Sequence, residues 1–380
     1  MIDRWITMHL HIGGSFWGAT YYNTYTLQAM AWRSGSLHLP YDYPALELAI
    51  FEGNYFVSFP PLPSLILWPL TFLFGTQTPD NLLVKIYTVI ACLAIFFSLQ
   101  KAGYSKFSAA LFAFLFCFAS SMLPMTLNGA VWYHAQVLAF MLMILSIAFL
   151  MKNRPAFALL FYALSVACRP FDAVYALPLF FTYFMIKRRE NVPFKHMLRS
   201  LLPGIAAGMC VAIAIGAYNY ARFGNPFEFG HNYLPEFSFQ GGTQFSVSHV
   251  FNHLKTFLWG LPLEKGWNGW QFKQFGYSFM IACPMLFLML VWAVIDLFKK
   301  RMKPEKAVIL FTFLVHLFLL LLHRTFGGYQ LGARYTVDLI PYAFLYLLLT
   351  PEKKKIHILE SILLIGILIF TCWGATQVHI

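Results

Sequence analysis

The sequence predicts an all-α protein, a polytopic transmembrane helical bundle of about 10–12 membrane helices whose outer-face first loop carries interfacial helices. Hydrophobic residues make up 59% of the 380 residues and charged residues only 11%, with a mean hydropathy of +0.63. A water-soluble domain cannot bury so much apolar surface. The apolar residues also form long runs, and basic residues collect between those runs.

Ten apolar runs follow the opening stretch, and each is a candidate membrane helix. They cover residues 82–100, 105–123, 129–151, 155–169, 171–187, 200–220, 276–298, 306–323, 335–350 and 356–374. We expect one integral membrane domain over residues 1–380. It comprises an outer loop with interfacial helices (1–60), a first helical block (61–220), a long outer loop (221–275) and the C-terminal helices (276–380).

The basic residues predict an orientation. Most of the 27 Lys and Arg residues lie in every second loop between the apolar runs, and positive residues favour the cytoplasmic side of a membrane. The remaining loops must then face outward. This bias also explains the net charge of +12, so nucleic acid is not an expected partner. The six cysteines lie in or beside apolar runs without a CxxC spacing, which is typical of packing residues.

Segment 61–76 is short for a crossing and carries Pro61, Pro63 and Pro69. We expect it to be re-entrant or half-buried, because residues 1–60 then share the outer side with the other polar loops. Residues 5–19 are too polar for a span, which leaves open that a first membrane helix is missing from this chain.

The stretch before segment 61–76 combines acids, aromatics and prolines. Asp42, Glu47 and Glu52 lie close to Tyr41, Tyr43, Tyr55 and Phe56, and a Pro-rich run follows. Such a composition fits an ordinary interfacial loop. It also fits a polar site held at a bilayer surface.

Several motifs resemble the GT-C superfamily of membrane glycosyltransferases, which includes protein O-mannosyltransferases, aminoarabinose transferases and many bacterial relatives. The resemblance covers most of the chain through short motifs. They are Tyr21–Tyr25, Gly35–Leu37, Leu46–Ala49, Glu52–Phe56, Phe59–Pro63, Ala167–Pro170, Asn219–Pro226 and Leu331–Tyr335.

The resemblance implies sugar transfer from a polyprenyl-phosphate-linked donor to a glycan, lipid or protein acceptor, without a cofactor. It also implies a multi-pass protein of a bacterial cytoplasmic membrane, in contact with membrane lipids and with its site facing outward. One departure matters. Many members carry a catalytic acid at the start of the first outer loop, where this chain reads Ala19–Asn23 without an acid. Either another acid of that loop is the base, or the chain is incomplete or inactive.

The chemistry requires a base for the acceptor and cations for the leaving phosphate. Asp42 and Glu47 are the candidate bases, with Asp42 ranked first because Tyr41 and Tyr43 flank it; solvated interfacial charges are the alternative. Glu52-Gly53 is more typical of a turn.

Arg334 and Arg169 are the candidate phosphate-binding residues. Arg334 follows a glycine-rich segment and opens an apolar run, and Arg169 lies between two runs at membrane depth. The alternatives are a helical pair between Arg334 and Asp338 and a structural ion pair of Arg169.

The remaining substrate-binding candidates are Tyr335, Tyr55, His231 and Trp267. Tyr and Trp beside polar groups suit stacking on sugar faces, although they suit a membrane interface equally. His249 and His253 are four residues apart without an evident third ligand, so no metal site is expected. A lipid or sugar transporter, a flippase and a non-catalytic GT-C homologue remain alternatives to an enzyme.

Overall fold

The computed structural model of the protein describes residues 16–43, 46–238, 244–266, 269–325, 327, 330–350, 356 and 358–377. Most of these residues are helical. The α-helices are α1 (Thr24–Arg33), α2 (Leu62–Phe74), α3 (Asp80–Lys101), α4 (Lys106–Phe118), α5 (Met122–Met125), α6 (Val131–Met151), α7 (Pro155–Val166), α8 (Ala176–Arg189), α9 (Phe194–Phe223), α10 (Pro235–Ser238), α11 (Val247–Trp259), α12 (Phe279–Ala282), α13 (Pro284–Phe298), α14 (Pro304–Leu321), α15 (Ile340–Leu348) and α16 (Ile358–Gln377). Short 3₁₀ helices cover Gly75–Gln77, Pro170–Tyr175, His231–Tyr233 and Arg334–Leu339.

Each of the predicted apolar runs contains one of these helices. Among the described residues, α3, α6, α9 and α14 are long and apolar enough to cross a membrane, with 22, 21, 30 and 18 residues. The helices α4, α7 and α13 and residues 361–377 of α16 are apolar but shorter. The helix α7 ends before Arg169-Pro170, as expected where a proline restricts the residue before it.

The centre of the bundle is formed by α15 and α6. Every side chain from Ile340 to Leu347 is buried, because α15 is apolar or aromatic on all sides. Tyr342 of α15 stacks on Tyr175, with ring centres 4.0 Å apart. The helix α6 is likewise mostly buried and packs against α3 and α7.

A hydrogen-bonded clasp joins the two ends of the first long loop. The amide of Thr20 donates to Oδ1 of Asp80 over 2.8 Å, and the hydroxyl of Thr20 donates to Oδ1 of Asn128 over 2.9 Å. The amide of Gly129 donates to Oδ1 of Asn81 over 2.6 Å. A Cβ at Gly129 would lie only 2.6 Å from the carbonyl carbon of Asp80, so this approach requires glycine. Residues 20 to 80 therefore leave and return to one end of the bundle.

Within this loop, α1 packs against α2. Gln28 joins three helices, since it accepts from Ser64 of α2 over 2.6 Å and donates to Tyr218 of α9 over 2.9 Å. The thirteen residues of α2 span about 20 Å, which is short of the hydrocarbon thickness of about 30 Å. This length agrees with the expectation that segment 61–76 is not a full crossing.

The all-α prediction is wrong in one respect, because the chain contains two antiparallel hairpins. The first pairs β1 (Leu48–Phe51) with β2 (Asn54–Val57), and the second pairs β3 (Leu263–Gly266) with β4 (Gly269–Phe272). Glu52 and Gly53 form the predicted turn of the first hairpin, with φ angles of 49° and 76°. Two positive φ angles in a two-residue loop match the twist of a hairpin.

Basic loops contact one another at the opposite end of the bundle. The Tyr104 hydroxyl donates to the carbonyl oxygens of Leu347 and Thr350 over 3.0 and 3.2 Å. Arg189 donates to both carboxylate oxygens of Glu305 over 2.7 and 2.8 Å. The charge alternation along the sequence thus corresponds to a separation of these basic loops from the end that carries the clasp.

Candidate functional site

A cavity of about 640 Å³ opens at the clasp end of the bundle. It is formed by segments that are far apart in the sequence and meet there. They contribute Tyr22, Tyr25, Glu47, Phe59, Pro60, Asn128, Ala130, Val131, Trp132, Tyr133, Ala135, Cys168, Arg169, Pro170, Phe171, Phe227, Glu228, Phe229, His231, Asn232, Leu234, Glu236, Phe237, Gln244, Phe245, Leu320, His323, Thr325, Gly327, Arg334 and Tyr335. Five of the eight predicted site residues are among them.

Glu47 is the residue before β1 and lines the cavity. Its φ of 52° is unusual for a residue other than glycine, and the Ser58 hydroxyl donates to its carbonyl oxygen over 3.1 Å. The indole Nε1 of Trp132 donates to Oε2 of Glu47 over 2.8 Å. Solvent reaches this carboxylate through the cavity, yet the surrounding protein removes enough water to raise the pKa of Glu47. The Trp132 hydrogen bond lowers it in part, and the nearby Glu236 raises it further.

Arg169 follows α7 and forms an ion pair with Asp338, which lies 169 residues later in the sequence. Its Nε and Nη2 donate to Oδ2 of Asp338 over 3.1 and 2.5 Å. The other oxygen of Asp338 accepts from Nε2 of Gln136 over 2.8 Å. The side chain of Asp338 is only 2% exposed, whereas that of Arg169 is 25% exposed. The ion pair therefore fixes the guanidinium while one side of it still faces the cavity.

Arg334 begins a 3₁₀ helix and has a different environment. No carboxylate in the described part of the chain lies within ion-pair distance of it, because Asp338 binds Arg169 instead. Its buried Nε has no hydrogen-bond partner among those residues. Its guanidinium carbon lies 5.5 Å from the ring centre of Tyr133 and 5.3 Å from that of Tyr335. The alternative of a helical pair between Arg334 and Asp338 is therefore wrong, because Asp338 pairs with Arg169.

Tyr335 and His231 complete the predicted residues in the cavity. The ring centre of Tyr335 is 5.7 Å from the Arg169 guanidinium carbon, so this ring lies close to both arginines. His231 contacts Phe59, with ring centres 5.7 Å apart. Burial, with His323 and Arg169 nearby, lowers the pKa of His231 to about 4. His231 is therefore neutral near pH 7.

The other three predicted site residues lie elsewhere. Asp42 is exposed in the loop between Tyr41 and Tyr43, whose ring centres are 5.1 Å apart, and it does not line the cavity. Tyr55 lies on β2, where it packs in an apolar cluster and its carbonyl oxygen accepts from the Leu39 amide over 2.8 Å. Trp267 lies outside the described residues.

Charges of both signs line the cavity. Arg169 and Arg334 provide the guanidinium groups, and Glu47, Glu228 and Glu236 provide the carboxylates. Glu228 already accepts hydrogen bonds from the Gly230 amide and the Asn232 side chain, over 2.6 and 2.7 Å. Cations can hold a phosphate and stabilise developing negative charge, and a carboxylate with a raised pKa is suited to accept a proton near neutral pH.

The fold was compared with solved structures. The apo oligosaccharyltransferase of Archaeoglobus fulgidus aligns with 100% of this chain and 56% of its own length, at a TM-score of 0.56 and 11% sequence identity. That enzyme belongs to the GT-C superfamily. This chain shares the fold of that enzyme. It spans about half the length of the structure that it matches.

A second solved structure found in the comparison is the Archaeoglobus fulgidus oligosaccharyltransferase AglB in complex with an inhibitory peptide and a dolichol-phosphate. It covers 99% of this chain and 55% of its own length, at a TM-score of 0.46 and 11% identity. No protein-family model matches the sequence, and no curated protein matches it.

Three residues that support the cavity were not predicted as site residues. Trp132 binds Glu47 although 85 residues separate them in the sequence. Asp338 binds Arg169 across 169 residues, and Gln136 binds Asp338 across 202 residues. A polar residue inside an apolar run, such as Gln136, was the one signal that pointed to a buried hydrogen bond.

Proposed function

We propose that this chain is a polytopic membrane glycosyltransferase with its site on the outer face of the cytoplasmic membrane. It transfers a sugar from a polyprenyl-phosphate carrier to a glycan, lipid or protein acceptor. The donor class follows from the resemblance of the sequence motifs to the GT-C superfamily. The observation that carries the proposal is one cavity in which a carboxylate with a raised pKa and two arginines meet among aromatic side chains.

In this proposal, Arg334 binds the phosphate of the donor. Its guanidinium faces a cavity without an acid within ion-pair distance among the described residues. Arg334 is half-buried, and its buried Nε has no hydrogen-bond partner in the described part of the chain. Its guanidinium is therefore available to bind an anion, and the two-pronged geometry of arginine suits a phosphate. Arg169 is held by Asp338 and adds a second positive charge near Tyr335. The two arginines would stabilise the negative charge that the phosphate gains in the transition state.

Glu47 is the proposed base, and its position favours it over Asp42. It lines the cavity and its carboxylate is oriented by Trp132, whereas Asp42 is exposed outside the cavity. Glu47 takes the proton of the acceptor group, which then bonds to the anomeric carbon of the sugar. The bond between that carbon and the phosphate oxygen breaks, and its electron pair stays on the phosphate.

The test of the base is sugar transfer from a polyprenyl-phosphate donor by the purified chain in liposomes. Glu47→Gln should lower the rate by on the order of a hundredfold or more, because a general base contributes about that much. Asp42→Asn is the matched control in the same loop and should transfer at the parent rate. Loss of transfer in Asp42→Asn with retention in Glu47→Gln would reverse the assignment.

The test of the phosphate site is Arg334→Lys, which keeps the charge and loses the two-pronged donor geometry. Transfer should fall steeply while the amount of inserted protein stays the same. Full activity of Arg334→Ala would exclude Arg334 as the phosphate ligand. A parent chain that transfers no sugar from any donor would favour the transporter or non-catalytic alternatives.

The outward orientation has a separate test. Trp270 of β4 is exposed near the cavity end, and Lys299 is exposed at the basic end. An impermeant maleimide added to intact cells should label Trp270→Cys and not Lys299→Cys, in a background where the exposed Cys210 and Cys372 are serine. The reverse pattern would contradict the orientation.

A further inference from the structure

The structure assigns a membrane contact to α11 in the long polar loop. We propose that α11 is an interfacial helix that lies on the phospholipid surface beside the mouth of the cavity. This inference rests on the proposed membrane placement of the chain, and it adds a lipid-binding element to a loop outside the long apolar helices.

One face of the helix α11 packs against the protein. Its exposed face has an apolar edge and a polar edge. Val250, Leu254 and Leu258 pack against the main core, and Phe257 is buried. At about 100° per residue, Val247 falls within the arc of that packed face and Phe251 lies next to it, yet they are 62% and 77% exposed. Beyond them on the exposed face lie Ser248, Asn252, Lys255 and Trp259. An apolar edge beside a polar edge is the pattern of a helix that lies along a bilayer surface.

The depth of α11 follows from its contacts with α14. The Ser246 amide donates to the Leu322 carbonyl oxygen over 2.9 Å, and Nδ1 of His253 lies 3.2 Å from the Leu321 carbonyl oxygen. The eighteen residues of α14 span about 27 Å, close to the hydrocarbon thickness of about 30 Å. The last residue of α14 therefore marks the edge of the hydrocarbon layer, and α11 is bonded at that edge.

The chemistry of the exposed face favours lipid over a protein partner. The apolar side chains on α14 that face outward include Phe311, Leu314 and Phe318, which are 60%, 58% and 46% exposed. In the proposed placement these side chains contact acyl chains, and so do the exposed Val247 and Phe251 of α11. Lys255 and Trp259 on the exposed face match the residues that anchor proteins at headgroups, where Lys extends to phosphate and Trp lies at the boundary.

This placement has a consequence for the cavity. Phe245, just before α11, lines the cavity and is bridged to His323 at the end of α14. Binding of α11 to the surface would hold the cavity mouth at headgroup depth, which is the depth of the phosphate in a lipid-linked donor.

The test uses nitroxide labels on the full chain in liposomes of phosphatidylcholine and phosphatidylglycerol. Phe251→Cys and Asn252→Cys are matched, since both positions are exposed neighbours on different edges of α11. The ratio of oxygen to nickel-chelate accessibility should be several-fold higher at 251 than at 252. Leu314→Cys on α14 reports the lipid phase, and the background carries serine at Cys210 and Cys372.

The outcomes separate this inference from the proposed function. If 251 has the same water-like ratio as 252 while 314 is in lipid, the interfacial role of α11 is wrong and the membrane placement stands. If 314 is also in water, the proposed placement of the chain fails. Spin–spin broadening at 251 would identify a second copy of the chain as the occupant and would also overturn the inference.

Discussion

Arg169 and Arg334 should respond differently to the same substitution, because among the described residues only Arg169 has an acidic partner. Replacing Arg169 with Met removes two of the three donors, Nε and Nη2, that bind the 2%-exposed carboxylate of Asp338. A buried charge left in this state destabilises a protein by about 3–5 kcal/mol. The quarter exposure of Arg169 places the expected loss near the lower limit, about 3 kcal/mol.

The same substitution at Arg334 should change the free energy of unfolding by no more than about 1 kcal/mol. It removes two contacts with aromatic rings, which are each typically about 0.5–1 kcal/mol. It also removes a buried Nε that has no hydrogen-bond partner in the described part of the chain, and this gain offsets part of the loss.

The measurement is unfolding of the purified variants by SDS titration in mixed micelles, with sugar transfer assayed in parallel. Arg169→Met should be about 2–4 kcal/mol less stable than Arg334→Met, while Arg334→Met retains stability and loses activity. Adding Asp338→Asn to Arg169→Met should restore part of the stability, since the uncompensated charge is removed. Equal destabilisation by both single changes would refute the assignment of a structural role to one arginine and a ligand role to the other.

Two further predictions concern the loops around the cavity. The hydrogen bond from Trp132 favours the charged form of Glu47, so Trp132→Phe should raise the pKa of Glu47 further. On acidification, the variant should then lose transfer activity at a higher pH than the parent. An acidic limb of the pH–rate profile that does not shift would argue against Glu47 as the base. Gly129→Ala should destabilise the chain, because the added Cβ would lie 2.6 Å from the Asp80 backbone. Gly366→Ala is the control, because a Cβ at that position has open space around it. Equal stability of the two variants in SDS titration would contradict the close contact at the clasp.

The helices were predictable because they depend on local sequence. Long apolar runs with basic residues between them predicted a helix in each of ten places, including the break at Arg169-Pro170. The two hairpins were missed, since a four-residue strand has too few positions to show an alternating pattern. Only the turn at Glu52-Gly53 was visible, because its residue types suit positive φ angles.

Several residues that line the cavity were predicted from the sequence, but the ion pairs that they form were not. Arg169 and Arg334 were identified because ionisable residues at the ends of apolar runs are candidates for function, and Glu47 because it lies in an aromatic, proline-bounded stretch. The partner of Asp338 was not predictable, because Arg334 is four residues away in the sequence while Arg169 is 169 residues away. Asp42 ranked ahead of Glu47 on its flanking tyrosines, and three-dimensional structure was needed to separate the exposed acid from the cavity acid.

The clasp between Thr20 and Asp80 makes the segment between these two residues a unit that can be exchanged between related chains. Its two ends meet at one hydrogen bond of 2.8 Å, so a segment of different length can be exchanged between these positions if it keeps the contact of Gln28 with Tyr218. Loop closure adds only about 0.6 kcal/mol for each doubling of length. Chimeras joined at these two residues would exchange the segment that carries Glu47 while both arginines stay in the recipient. The proposed base and the proposed phosphate ligands could then be varied separately.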